Sequence, residues 1–182
     1  HVVKVGDKYG YNYSSVVHKA GVWAQVNQHF NHVDWFAAVR YSNTTQWREG
    51  IYRNGLDANN SQGKSKVFSY NNFSVKGGLT YKIDGRNYLF ANGSYETKAP
   101  YWDNIFISPR VRNLANNPGN ERIGSIEAGY IYNAPKLKLR ATGFYTNFQN
   151  GSNVLVYFDD DYFGMASYTL TNINKVHFGG EF

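Results

Sequence analysis

Phe73-Ser74-Val75-Lys76-Gly77-Gly78-Leu79-Thr80-Tyr81-Lys82-Ile83-Asp84-Gly85-Arg86-Asn87-Tyr88-Leu89-Phe90-Ala91-Asn92 is the stretch on which the fold turns. Before Asp84-Gly85-Arg86, the residues Phe73, Val75, Leu79, Tyr81 and Ile83 fall on one beat of a two-residue period. Lys76, Thr80 and Lys82 fall on the other. After the turn, Leu89, Ala91, Gly93 and Tyr95 alternate with Phe90, Asn92, Ser94 and Glu96. Period two sends each set to one face of a sheet. The stretch therefore predicts two strands, about 70–83 and 86–97, joined tightly and facing two different surroundings.

The same beat runs outward in both directions. Strands are predicted at about 15–30, 33–44, 121–133, 136–147 and 167–182, which makes seven in all. Asn31-His32 and Asn133-Ala134-Pro135 are further tight joins, while the joins 45–69, 98–120 and 148–166 are long and polar. Short turns at one end and long loops at the other is the organisation of a transmembrane β-barrel. Length points the same way. Strands in globular sheets usually run about 5–6 residues, whereas a tilted membrane strand needs about 9–11 in hydrocarbon alone. Trp35, Tyr41, Tyr81, Tyr95, Tyr130, Tyr132 and Tyr145 lie near the ends of the apolar faces, with smaller residues between them. Aromatic girdles at the two membrane interfaces produce that placement. The other face carries Lys, Arg, Glu, Asn and Thr, which a wet lumen tolerates. A soluble antiparallel sheet with one face on a core has the same alternation, so length and loop asymmetry decide between the two.

Composition narrows the classes further. The chain has 182 residues, 42% hydrophobic and 18% aromatic, and no cysteine. No disulfide framework or thiolate metal site is available. Mean hydropathy is −0.56, and no apolar run reaches the length of a transmembrane helix. No signal peptide is recognisable at His1-Val2-Val3-Lys4-Val5, so an exported protein with this opening is expected to be a processed form or a fragment. The net charge of +6 is scattered. No basic stripe of the kind that binds nucleic acid is present, and no nucleic-acid partner is expected. Gly6 and Gly10 interrupt any pattern in residues 1–13. Seven strands is an odd number, and an open sheet would leave unpaired edges in lipid. Either 1–13 supplies an eighth strand, or the chain is a piece of a larger barrel.

The ordered set from Phe73 to Asn92 is followed by Ala99-Pro100, Ile107-Ser108-Pro109-Arg110 and Asn120-Glu121-Arg122-Ile123. Pro135 to Tyr145 and Asn174 to Phe182 complete it. Together these resemble the barrel of TonB-dependent outer-membrane receptors of the Bacteroidetes type, in its C-terminal part. The resemblance covers about 66–182 well and the first two strands more loosely. It implies a large barrel of 22 strands around a plug domain, energised through TonB. Residues 1–182 are then a barrel segment of a larger receptor, with the plug absent. The implied location is the bacterial outer membrane. The implied partners are outer-membrane lipids, the TonB complex through the missing plug region, and a small-molecule, glycan or peptide ligand. A surface lipoprotein partner is left open.

No catalytic constellation is apparent. The five histidines (His1, His18, His29, His32 and His177) lack metal spacing, no Gly-x-Ser-x-Gly elbow occurs, and no cofactor is expected. Asp159-Asp160-Asp161 stands beside Tyr157, Phe158, Tyr162 and Phe163 in the 148–166 join. Calcium takes six to eight oxygens, and the alternating ligand spacing is missing, so a solvated acidic tip is expected. Tyr101, Trp102, Asp103 and Arg110, with Asn104, sit in the 98–120 loop. Exposed aromatics among polar neighbours stack on sugars or flat ligands. Trp47 and Arg53, with Arg48 and Tyr52, form a similar cluster in 45–69. Loop-to-loop packing that closes the barrel mouth is the competing role for both groups. Arg110 and Arg112 suit loop carboxylates or an anionic ligand equally.

Two other functions compete. A small self-contained outer-membrane barrel, acting as adhesin or structural protein, would use 1–13 as a strand and Phe182 as its terminal aromatic. A soluble β-sandwich binding module would need shorter strands than these.

Overall fold

The computed structural model of the chain describes residues 2, 4–7, 10, 12–55, 57–108, 110–115, 118–161 and 164–182. The strands are β1 (Tyr13–His29), β2 (Val33–Gly50), β3 (Gly63–Lys64), β4 (Phe68–Lys82), β5 (Asn87–Lys98), β6 (Glu121–Ala134), β7 (Leu137–Asp159) and β8 (Gly164–Glu181). One 3-10 turn, Trp102–Asn104, lies between β5 and β6. The strands form a single antiparallel meander, β1-β2-β4-β5-β6-β7-β8, with the two-residue β3 beside β2. β1 and β8 end the order and do not pair with each other. All seven long strands expected from the alternation are present. The expected eighth strand in 1–13 falls partly on residues outside those described; β1 begins at Tyr13.

Register converts the alternation into two surfaces. The row Ala24, Val39, Val75, Tyr95 belongs to one face. The row Ala37, Gly77, Gly93, Ile126, Tyr145, Phe178 lies beside it on that same face. This face is exposed: Val39 is 56% accessible, Ile126 62% and Phe178 78%. The buried residues of the sheet are instead mainly polar, with Ser42, Gln46, Asn72 and Ser74 all at 5% or less. Burial here is the reverse of that in a water-soluble sheet, where apolar surface is the part removed from water. On β4 the apolar face runs from Phe73 to Tyr81. Eight steps cover about 26 Å along the strand, or about 20 Å of height at a tilt near 40°, against an apolar band of roughly 25 Å in outer-membrane barrels. Aromatics (Tyr41 and Trp35, Phe73 and Tyr81) bound Ala37 and Gly77. The described strands supply no second sheet to cover the apolar face, as a sandwich would require.

The polar wall is kept open by a repeated contact. Phe36, Phe90 and Phe144 are register partners of Gly78, Gly129 and Gly179. A Cβ added at Gly129 would come within 2.7 Å of the Phe90 ring, one at Gly179 within 2.9 Å of Phe144, and one at Gly78 would collide with Phe36. Each ring therefore packs against a glycine of the neighbouring strand, in space that a Cβ would fill. Around the rings the wall is polar. Asp34 pairs with Lys82 at 2.7 Å and His29 at 3.2 Å. Asn92 donates to Glu127 at 2.7 Å, and Arg140 covers the Phe90 ring at 4.8 Å.

Three strands run past the boundaries that the alternation predicts. β2 continues to Gly50 instead of stopping near 44, because Thr44, Gln46 and Arg48 keep the strand while the outward beat loses its aliphatic residues. The join 148–166 is mostly strand: β7 and β8 extend as a hairpin from Gly151↔Ile173 to Asp159↔Gly164. Register shifts at Phe148/Gly151 and Gly151/Asn153 break the two-beat pattern there. Asn150 and Asn172 adopt positive φ, 57° and 55°, at that level. Asp159 therefore closes a strand, and Asp160 and Asp161 belong to its tight turn. Tyr162 and Phe163 lie outside the described residues.

Candidate functional site

At the long-loop end, the polar wall is covered by the chain itself. Segment 99–120 folds back over it and brings a small apolar core. Ile105 is fully buried and Phe106 is 2% exposed, packed on Tyr70, Phe68, Trp102 and Leu114. A Phe106↔Leu114 bridge and the Ala115 N–H donating to the Ile105 carbonyl at 2.7 Å close the segment on itself.

Polar side chains rivet this cap to the strands. The Arg48 guanidinium, 1% exposed, donates to the Ser61 carbonyl at 2.8 Å and the Arg110 carbonyl at 3.3 Å. It thereby holds both long loops. Gln46 donates to the Pro100 carbonyl at 3.0 Å, and Tyr70 to the Pro118 carbonyl at 3.0 Å. Asn104 donates to the Ser152 carbonyl at 2.7 Å and accepts from the Val154 N–H at 3.4 Å, so one amide reads the β7 backbone as a strand would. Arg112 donates to the Asn59 carbonyl at 2.8 Å, loop to loop.

The cap divides the space above the wall into two cavities. One, of about 460 Å³, lies over β5 to β8. Lys98, Glu121, Ile123, Phe148, Lys175 and His177 form its strand side, and Pro100, Tyr101, Asn104 and Gly119 its loop side. The other, of about 420 Å³, lies over β1, β2 and β4, where Lys19, Arg40, Thr44 and Asn72 meet Tyr101, Trp102 and Asp103. Tyr101 borders both and is 65% exposed, with Lys98 Nζ 3.9 Å over its ring. Both volumes fall within the usual range for small-ligand sites, about 300–1,000 Å³.

The residues singled out from sequence thus separate. Tyr101, Trp102 and Asp103 come together at the partition. Trp102 is also structural: it stacks on Phe106 at 4.6 Å and Tyr13 at 5.7 Å, and its indole N–H donates to the Trp47 carbonyl at 3.1 Å. The alternation leaves Trp47 in a loop, but it lies within β2 and on the outward face, stacked on His18 at 5.2 Å with Lys64 over its ring at 4.2 Å. Arg53 is exposed in the 51–67 loop, and Arg110 is exposed beside Ser108. Neither they nor Trp47 line either cavity. The alternation puts Glu121, Lys175 and His177 in strands and leaves Lys98 and Phe148 in the 98–120 and 148–166 joins, whereas the structure places both in strands, β5 and β7. The shared height of these residues depends on long-range register, although the polar beat already put Lys175 and His177 on the lumen side. Among the described residues, no group of three or more His, Cys, Asp or Glu could hold a metal ion.

A meander with an exposed apolar face of membrane height and a polar inner wall capped at one end defines a transmembrane β-barrel protein. The chain matches the family described as TonB dependent receptor-like, beta-barrel, over residues 4–182, and it belongs to that family. The family is one of outer-membrane receptors, which places this chain in the bacterial outer membrane. No curated protein and no solved structure matches it.

Proposed function

We propose that residues 1–182 are a barrel segment of a larger TonB-dependent receptor that takes up a scarce ligand. The observation that carries this is the inverted burial, ending at a capped pair of cavities at the long-loop end. In this reading the short turns face the periplasm and the long loops face outside the cell. β1 and β8 pair with further strands of the same barrel, because unpaired edges are prohibitive in lipid. A plug fills the lumen and contacts TonB. The ligand, a small molecule, glycan or peptide, enters past Tyr101, Trp102 and Asp103. Binding and transport, not catalysis, are the work of the segment. A surface lipoprotein over the loops is compatible with this arrangement.

Native outer-membrane fractions, boiled and unboiled, probed with antibody against 98–120, test the reading. A heat-shifted band several times larger than 20.8 kDa is expected. A heat-shifted band near that mass would support a small closed barrel instead, and signal confined to the soluble fraction would remove the membrane reading.

A further inference from the structure

The cavity over β5 to β8 has an uneven distribution of charge. Lys175 and His177 are two residues apart on β8, so both side chains reach the polar wall together. Phe148 is the register partner of Lys175, and its ring lies 5.2 Å from the His177 ring. On the opposite side, Lys98 Nζ lies 3.9 Å from Glu121 Oε2 and 3.9 Å from the centre of the Tyr101 ring. Among the described residues Glu121 is the carboxylate lining the cavity, and Lys98 stands within ion-pair distance of it. Lys175 has no ion-pair partner among the described residues. The space between is walled by Tyr101, Ile123 and Phe148. One end is therefore cationic and unmatched, and the body is aromatic and aliphatic.

We propose that this cavity binds the acidic end of a ligand with a flat or apolar body, an organic carboxylate or an anion of similar size. Its charge meets Lys175 and His177, and its body lies against Tyr101 and Phe148. Lysine suits this as a compact point charge that meets an anion from many directions. A cavity of about 460 Å³ admits one small ligand or one acidic arm of a larger one. The opposite selection applies to cations, which would meet Lys175 first. The inference rests on the receptor reading and gives its ligand a chemical class.

The test uses the whole receptor, purified in detergent from outer membranes, with 1-naphthoate and 1-naphthamide as probes. The two share a shape and differ in charge. Naphthoate is expected to bind at least about tenfold more tightly than naphthamide, and Lys175→Glu to remove that preference, in line with losing a charge-assisted contact. Lys175→Gln should weaken naphthoate by less and leave naphthamide unchanged. Heat-modifiability of each variant on gels reports separately that the barrel is folded. Equal affinity for both probes, no binding of either, or an unchanged preference in folded Lys175→Glu would each overturn the inference. Any of these in a heat-modifiable protein of receptor size leaves the receptor reading standing. A protein without heat shift would sink both.

Discussion

The sheet and its cap obey opposite rules. In the sheet, Ser42, Gln46 and Asn72 are buried while Val39, Ile126 and Phe178 are exposed. In the cap, about one loop in length, Ile105 and Phe106 are buried and Tyr101 and Asp103 are exposed. The cap is folded as any water-soluble segment is, around an apolar centre. The sheet buries mainly polar residues, because its apolar face is matched by lipid. Both rules come from one cause, the removal of apolar surface from water. What differs is the medium that accepts that surface. The boundary between the regimes crosses β2 between Tyr41 and Thr44, where the outward beat loses its aliphatic residues.

A charge on the apolar face breaks or sharpens this contrast most directly. Leu79 lies on the outward face of β4, between the central Gly77 and the terminal Tyr81, and is 47% exposed. Leu79→Arg is expected to cost about 1–3 kcal/mol of folding stability in lipid vesicles, between the cost of arginine at the bilayer midplane and that near the interface. In water the same change at an exposed site would stay within about 0.5 kcal/mol. Urea titration of the receptor in vesicles measures it. A change inside the smaller range would mean that the face is not in hydrocarbon.

The cap should respond on a more local scale. Ile105→Ala removes the most buried apolar side chain of the 99–120 segment. Core truncations of this kind cost about 2–5 kcal/mol. The lower end, about 2, is expected here because a small loop core collapses readily around the gap. Hydrogen exchange across 99–115 should accelerate about thirtyfold, equivalent to that figure, while heat-modifiability of the barrel stays unchanged. Loss of the heat shift would show that cap and sheet are one cooperative unit.

The same boundary explains what the sequence could disclose. Alternation marks a strand only where its two faces meet different solvents. From Phe73 to Asn92 they do, and both strands and their turn are legible. Above Tyr41, Thr44, Gln46 and Arg48 face the capped wall while Thr45 and Trp47 face outward beyond the aliphatic band. With polar residues on both sides, that end of β2 reads as loop. In β7 the reason is geometric: the register shifts between Phe148 and Asn153 move the beat, and a continuous strand reads as a break. Tyr101, Trp102 and Asp103 were visible because aromatic and acidic residues cluster locally. Lys175 was visible as a lumen residue but not as a neighbour of Tyr101. That proximity needs the antiparallel register of β5 through β8 and the fold-back of 99–120 together.

The two ends of the sheet offer the finest form of the comparison. The loop end needs a core and several rivets, whereas the turn between β4 and β5 is held by one carboxylate. Asp84 accepts the Arg86 N–H at 2.7 Å, the Asn87 N–H at 2.8 Å and the Asn87 side-chain amide. The backbone N–H of Arg86, then the Asn87 amide, hold the carboxyl below its ordinary range. A depressed acid adds stability above its unfolded pKa, near 4, and that stability is lost as pH falls through the lower folded value. Asp84→Asn keeps an acceptor oxygen but loses the charge. At pH 7 it should lower the temperature of the gel heat shift slightly, and by pH 3 the gap from wild type should have begun to narrow. The fully exposed position keeps the effect small. A gap that is constant from pH 7 to pH 3 would assign the turn's order to its backbone geometry, leaving the charge of Asp84 without a part in it.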